Sequence, residues 1–502
     1  MARKQYIPMI LFIAGFILTS CNDEEQESKA LAKKYCSSCH LFPDPAELDK
    51  TTWKKNVLPV MGRLLGAQQP DQHPFEESDR IISNQKSLVS GEDWQKILDY
   101  YVSNAPDQLP QQDRPAIEKI TSLFNVEKRT SNRLPSNTFL KIDTVNKWIY
   151  AGAMDSTLTV FDNQLNPVKK INPGGITVDM FFNEKQLKPG VREGVMTDIG
   201  FMHPNDLKTG AGFIFSITDN GEFQSRKIID TVPRPVQTIA VDLDVDGRVD
   251  YVVCGFGNKQ GSFFWMRNTG NKTFEQKMLR PLPGAIKAYI EDINNDNLPD
   301  IIALFAQGDE GIYLFLNKGN GEFETRNLLR FSPVYGSTSF EMIDFNKDGE
   351  KDIVYTCGDN ADYSNVLKSY HGIYIYINEG NFSFKKTYFF PLHGAFKALT
   401  RDFDKDGDLD IAAVSYFPDM KNQPKEGFVF LEQTAALKFT PYSIKEFNEG
   451  RWITMDAGDI DQDGDEDIVI GSLYLPQEAE RSKEDLTRKP AFLLLRNNSV
   501  RK

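Results

Sequence analysis

The feature that most constrains folding is a nine-residue acidic pattern that recurs five times beyond residue 240. Three copies are strict: Asp242-Leu-Asp244-Val-Asp246-Gly247-Arg-Val-Asp250, then Asp402, Asp404, Asp406 and Asp410 around Gly407, then Asp459, Asp461, Asp463 and Asp467 around Gly464. A fourth keeps Asp344, Asp348 and Asp352 with Asn346 in the third place. A fifth has Asp292, Asn294, Asp296 and Asp300, with Asn297 where the others have glycine. Glycine or asparagine at that place permits positive φ and a tight turn. Oxygen ligands at positions 1, 3, 5 and 9 of such a turn form a cage suited to Ca²⁺. A single acidic loop is an ordinary solvated turn, but five in register predict about five bound calcium ions. No glutamate stands at position 12, so these are not helix-flanked calcium loops.

The loops begin at 242, 292, 344, 402 and 459, at spacings of 50, 52, 58 and 57 residues. Each is followed by an apolar β-rich run such as Tyr251-Val-Val-Cys254 or Ile301-Ile-Ala-Leu304, then by further strands and glycine turns. That period with short strands predicts propeller blades. On these loops and strands, residues 120 to 502 resemble the FG-GAP/VCBS repeat family, calcium-bearing propellers related to the integrin α-subunit head. Two degenerate units precede the five. One is centred on Asp198 and Asp206, the other on a shortened loop at Asp143, and both are expected to lack calcium. The expected ring has seven blades. The run Ala491-Phe-Leu-Leu-Leu495 reads as the third strand of the last blade. Phe124-Asn-Val-Glu-Lys128 resembles the outer strands and is predicted to complete that blade, tying the two ends together.

The N-terminal part carries a different chemistry. Cys36-Ser37-Ser38-Cys39-His40 has the spacing that attaches a c-type haem, with two thioether bonds and His40 as an axial iron ligand. A zinc site would need a second ligand pair nearby, and the next cysteine is Cys254. Arg3 and Lys4 precede an apolar run, Ile7 to Leu18, too short to span a bilayer. Leu18-Thr19-Ser20-Cys21 resembles the lipobox of bacterial lipoproteins, which implies a cleaved signal over 1–20, lipid on Cys21 and a tether over 21–26. Asn22-Asp23-Glu24-Glu25 resembles the acidic tag that sends some lipoproteins to the outer face of the outer membrane, so surface exposure is expected, or otherwise a periplasmic face. Cys254 and Cys357 read as small buried hydrophobes.

Residues 28–35 predict a helix leading into the haem motif. Ser90-Gly91-Glu92-Asp93 predicts an N-cap for a second helix with Trp94, Ile97, Leu98 and Tyr101 on one face. Residues 27–112 thus resemble a small all-α cytochrome c domain, and 113–502 the all-β propeller, with a Pro/Gln/Asp-rich linker over 106–115. The resemblance implies Met61 as the sixth haem ligand; His73 and a vacant position remain open.

Formal net charge is −13. Loss of Arg3 and Lys4 with the first 20 residues makes it −15, and five Ca²⁺ would return it to about −5. The acidity is therefore mostly ligand charge, and no basic stripe suits nucleic acid. The face opposite the calcium loops carries three long loops, 358–372, 416–427 and 473–490. A polar residue stands five places before each loop aspartate: Thr138, Glu193, Gln237, Lys287, Ser339, Lys397 and Thr454. With Arg234, Asp359, Asp362, Tyr363, His371, His393 and Arg451, these suggest a ligand mouth on the axis. The expected protein is a lipid-anchored electron-transfer haem protein with a redox partner, its propeller binding a partner or a small-molecule or glycan substrate. Alternatives are a sugar-type dehydrogenase that passes electrons to the haem, and a glycan-binding adhesion module with a haem sensor.

Overall fold

The computed structural model describes residues 11–67, 87–183, 188–360 and 366–500. The chain divides into two compact units, Met1–Gln111 with Ala361–Lys368, and Gln112–Asn360 with Ser369–Lys502.

The first unit is helical. The expected helix over 28–35 is the end of a longer one, Leu11–Cys36, which stops inside the Cys-x-x-Cys-His motif. Asp44 caps a 3₁₀ turn, Pro45–Glu47, and Asp49 caps the turns that lead through Trp53–Val57 to the helix Leu58–Leu64. The helix Gly91–Asn104 starts as expected, with Ser90 Oγ accepting from the Asp93 N–H at 3.0 Å. It ends before Pro106, which disfavours α geometry in Ala105. It buries Trp94, Ile97, Tyr100 and Tyr101, while Leu98 is half-buried. It packs against Leu11–Cys36, in which Ala32 is fully buried.

The second unit is a seven-bladed β-propeller. Each blade is a four-stranded antiparallel sheet. The innermost strands are Asn137–Asp143, Thr177–Phe182, Pro235–Val241, Ala285–Glu291, Ser337–Ile343, Ala395–Arg401 and Trp452–Gly458, in blades 1 to 7. Each touches the innermost strands of the blades before and after it, and blade 7 touches blade 1, which closes the ring. The second strands lie between neighbouring blades and are apolar on both faces; all of Asp300–Phe305 is buried. One core cluster joins Leu304 and Leu314 of blade 4 to Phe340 and Tyr355 of blade 5. The expected closure is present. Phe124–Arg129 pairs antiparallel with Phe492–Asn497 as the outer strand of blade 7.

Two expectations need correction. The predicted linker is partly strapped down. The Gln112 amide donates to the Ser369 and His371 carbonyls at 2.6 and 3.0 Å, and Arg114 pairs with Asp419 at 2.8 Å and with Glu426. Lys119–Ile120 then adds a parallel fifth strand to blade 6 beside Tyr442–Ser443. The register of blade 2 also differs from the expectation. Asp198 ends the second strand of that blade, Val191–Asp198, so Glu193 is not on an innermost strand. The inner strand is Thr177–Phe182, which carries no acidic-loop signature to reveal it. Asp206 instead accepts the backbone N–H groups of Asn258, Lys259 and Gln260 in the next blade, each at 2.9 Å.

Candidate functional site

The five acidic loops join first to second strands at one end of blades 3 to 7. In four loops the first aspartate folds over the turn. Asp242, Asp292, Asp344 and Asp459 each accept the N–H groups at positions 5 and 6 at 2.8–3.0 Å. In the Asp402 loop Asp404 takes the Asp406 N–H instead, at 3.1 Å. Asp402 Oδ1 is buried without a hydrogen-bond partner, as is Asp244 Oδ1. Three loops gather carboxylate oxygens within 4.8 Å of one another: Asp242, Asp244 and Asp246; Asp402, Asp404 and Asp406; Asp459, Asp461 and Asp467. In the other two, the amides of Asn294 and Asn346 donate to Asp296 and Asp348 at 2.9 and 2.8 Å.

The ninth residue has a job the spacing did not reveal. Asp250, Asp300, Asp352, Asp410 and Asp467 are buried. One oxygen of each accepts the N–H at position 2 of its loop, at 2.9–3.2 Å. The other accepts from the third strand, at Asn268, Asn317, Asn378, Gln433 or Asn497, at 2.7–2.9 Å. It therefore staples the loop to its blade. Burial pushes Asp410 and Asp467 up to about 7. Asn317 and Asn497 reach further and donate to the Leu243 and Phe403 carbonyls of the preceding blades at 2.9 and 2.7 Å. The loops also place position 4 at positive φ, even as Val245 at 56°, where a β-branched residue is strained.

At the other candidate site, the innermost strands leave N–H groups facing the axis. A side chain on one blade takes such a group from the next. Gln237 Oε1 accepts from Ala288 at 2.7 Å, Glu341 from Thr400 at 2.7 Å, Asp456 from Ile142 at 2.8 Å, and Asp179 from Thr238. Glu341 and Asp456 also meet Arg401 and Lys141, at 3.6 and 3.3 Å. Lys287 and Lys397 reach the same charged cluster. Burial, then repulsion by Lys287, holds the Lys397 ammonium down at about 8. Burial pushes Asp179 up to about 6, against the pull of Lys141, Lys397 and Lys287. Asp179 takes the place in this cluster that the sequence assigned to Glu193.

Of the remaining mouth residues, Arg451 and Asp359 both act on Tyr416. Arg234 donates to the Gly257 and Met202 carbonyls at 2.9 and 3.3 Å. Arg451 pairs with Glu478, donates to the Tyr416 carbonyl at 3.3 Å and lies over the Tyr416 ring. His371 and His393 are buried, and Asp359 is half-buried. Asp362 and Tyr363 lie outside the described residues, as does His73. Cys254 and Cys357 are buried free thiols.

In the helical unit, Cys36 closes its helix half-buried and Cys39 is exposed. His40 Nδ1 lies 2.9 Å from the Leu41 carbonyl, which only accepts. Nδ1 therefore donates in this contact, the arrangement in which Nε2 is the nitrogen that binds a metal. Trp94 Nε1 is buried without a hydrogen-bond partner. Tyr101 meets Trp53 and Phe42 in tilted ring contacts, with centroids 4.5 and 6.1 Å apart. Met61 is half-buried in Leu58–Leu64. The donor set fits a covalently held haem.

Residues 242–303, 292–355 and 402–470 match the FG-GAP-like repeat. Each span holds two acidic loops, and together they include all five. Two curated relatives are both described as T-cell immunomodulatory protein homolog. The one from Plasmodium falciparum (isolate 3D7) is 26% identical over 261 residues, 43% of this chain and 35% of the relative. The one from Plasmodium yoelii yoelii is 24% identical over 212 residues, 35% of this chain and 29% of the relative. The matches thus span about a third of the relatives' length. Among solved structures, the Dos1 propeller is similar with a TM-score of 0.43 at 9% identity, covering 74% of this chain and 81% of that one.

Proposed function

We propose that the propeller is a calcium-loaded binding module, joined to a c-type haem unit that transfers single electrons and is tethered to a membrane by lipid on Cys21. The observation that carries the calcium reading is the repeated gathering of carboxylate oxygens within 4.8 Å on equivalent loops. Two of those loops keep buried oxygens with no protein partner, at Asp244 and Asp402, which is costly without a cation. Cys36 and Cys39 would hold the haem covalently, and His40 and Met61 are the residues that would ligate its iron. The haem would supply one-electron redox chemistry. The Nδ1–H bond to Leu41 orients the His40 ring.

Calorimetric titration of the full chain with Ca²⁺ tests the first part. Saturable binding and a lower Tm in chelator are expected; identical melting with and without chelator would overturn it. An optical spectrum and intact mass of protein matured in a haem-attaching periplasm test the second. A colourless product without added porphyrin mass would remove the redox role. Haem reduction on adding a sugar would move the reading to a dehydrogenase.

A further inference from the structure

The ion pairs of the axial charge cluster fall on two of its four cations, Lys141 and Arg401. Lys141, Lys287, Lys397 and Arg401 bring four cations from blades 1, 4 and 6; Asp179, Glu341, Asp456 and Glu466 bring four carboxylates from blades 2, 5 and 7. The carboxylates are already engaged. Asp179, Glu341 and Asp456 each accept an inner-strand N–H, Asp456 pairs with Lys141, and Glu341 and Glu466 both pair with Arg401. Among the described residues neither Lys287 nor Lys397 makes a hydrogen bond or an ion pair; Glu341 and Asp179 attract Lys287, and Asp456 and Glu341 attract Lys397, without touching it. The Tyr289 ring lies 4.9 Å from the Lys287 ammonium. The two lysines hold the same register place in blades 4 and 6, opposite Leu304 and Val414. Thr454 holds that place in blade 7, and its hydroxyl is buried with no hydrogen-bond partner. Both lysines are half-buried, since the channel admits water while protein walls it. Lys287 repels Lys397 across this channel, and an anion between two ammonium groups without ion pairs relieves that cost.

We infer that Lys287 and Lys397 form an oxyanion site on the propeller axis that takes a carboxylate or a tetrahedral oxyanion. This deepens the reading of the propeller as a binding module and rests on it. The site is at the starts of the inner strands, away from the loops at Asp292 and Asp402. The lowered affinity of Lys397 for its proton agrees with an ammonium that lacks its counter-ion.

The test is calorimetric titration of the calcium-saturated full chain with sodium sulfate and with sodium acetate, against sodium chloride at matched ionic strength. Saturable heat with sulfate or acetate, and none with chloride, is expected. Sulfate alone would identify a tetrahedral oxyanion, and acetate alone a carboxylate. Lys397→Met and Lys287→Gln should each weaken binding at least about tenfold, the scale of one charged hydrogen bond. Lys397→Arg should retain it, which separates lost charge from lost fold. Absence of saturable heat from the wild type, or unchanged affinity in both lysine variants, would overturn the site. Calcium titration of the same samples keeps the two readings apart: intact calcium binding without anion binding sinks only the axial site.

Discussion

At the scale of single residues, the acidic loops divide into two trades. The earlier aspartates would supply oxygens to the proposed cation, whereas the ninth anchors the loop through two backbone bonds, and Asp467 takes part in both. Asp402→Asn is therefore expected to remove one calcium from the titration stoichiometry with little change in stability in chelator. Asp410→Ala strips two buried N–H groups of their acceptor. It should cost about 2–5 kcal/mol in denaturant unfolding, with or without calcium. A second residue carries a pH signature. Glu310 is buried, accepts from the Ser337 N–H and Oγ at 3.1 and 2.6 Å, and is pushed by burial from 4.5 up to about 8. The folded protein thus keeps a proton that the unfolded chain gives up between those values. Its contribution to stability is full below about 4.5 and is lost as pH rises through about 8. Glu310→Gln should flatten that part of the stability–pH curve and raise Tm at pH 8. An unchanged slope would refute this.

At the scale of elements, the segment from Gln112 to Ile120 shows what composition conceals. Its Pro/Gln/Asp content reads as a linker, yet Arg114 sits between the buried carboxylates of Asp419 and Glu426. Charges more than 300 residues away are invisible to a local reading. Arg114→Ala leaves two buried acids uncompensated and should destabilise the propeller by about 3–5 kcal/mol. Adding Asp419→Asn and Glu426→Gln should recover part of that loss, read by chemical denaturation. Blade 2 is the other instance. Its inner strand was not legible because no acidic loop follows it, so the register slipped by one strand and Glu193 stood in for Asp179.

At the scale of the whole molecule, closure depends on Phe124–Arg129 completing blade 7. Without it the strand Phe492–Asn497 becomes an open edge, and the two ends of the ring lose their tie. Deletion of residues 120–130 should abolish soluble, cooperatively folding propeller. Wild-type yield and Tm after the deletion would refute closure by this strand.

The acidic loops, the blade period, the closing strand and the Cys-x-x-Cys-His spacing were all determined by sequence alone. Each is written in short-range spacing, where turn geometry and strand alternation act over a few residues. Tertiary structure alone decided which charges meet. Lys141 and Asp456 lie 315 positions apart in the chain and 3.3 Å apart in space. Only ring closure brings inner strands together, so only the fold reveals that Asp456 caps the neighbouring blade and that Lys287 and Lys397 share a charged cluster with Glu341.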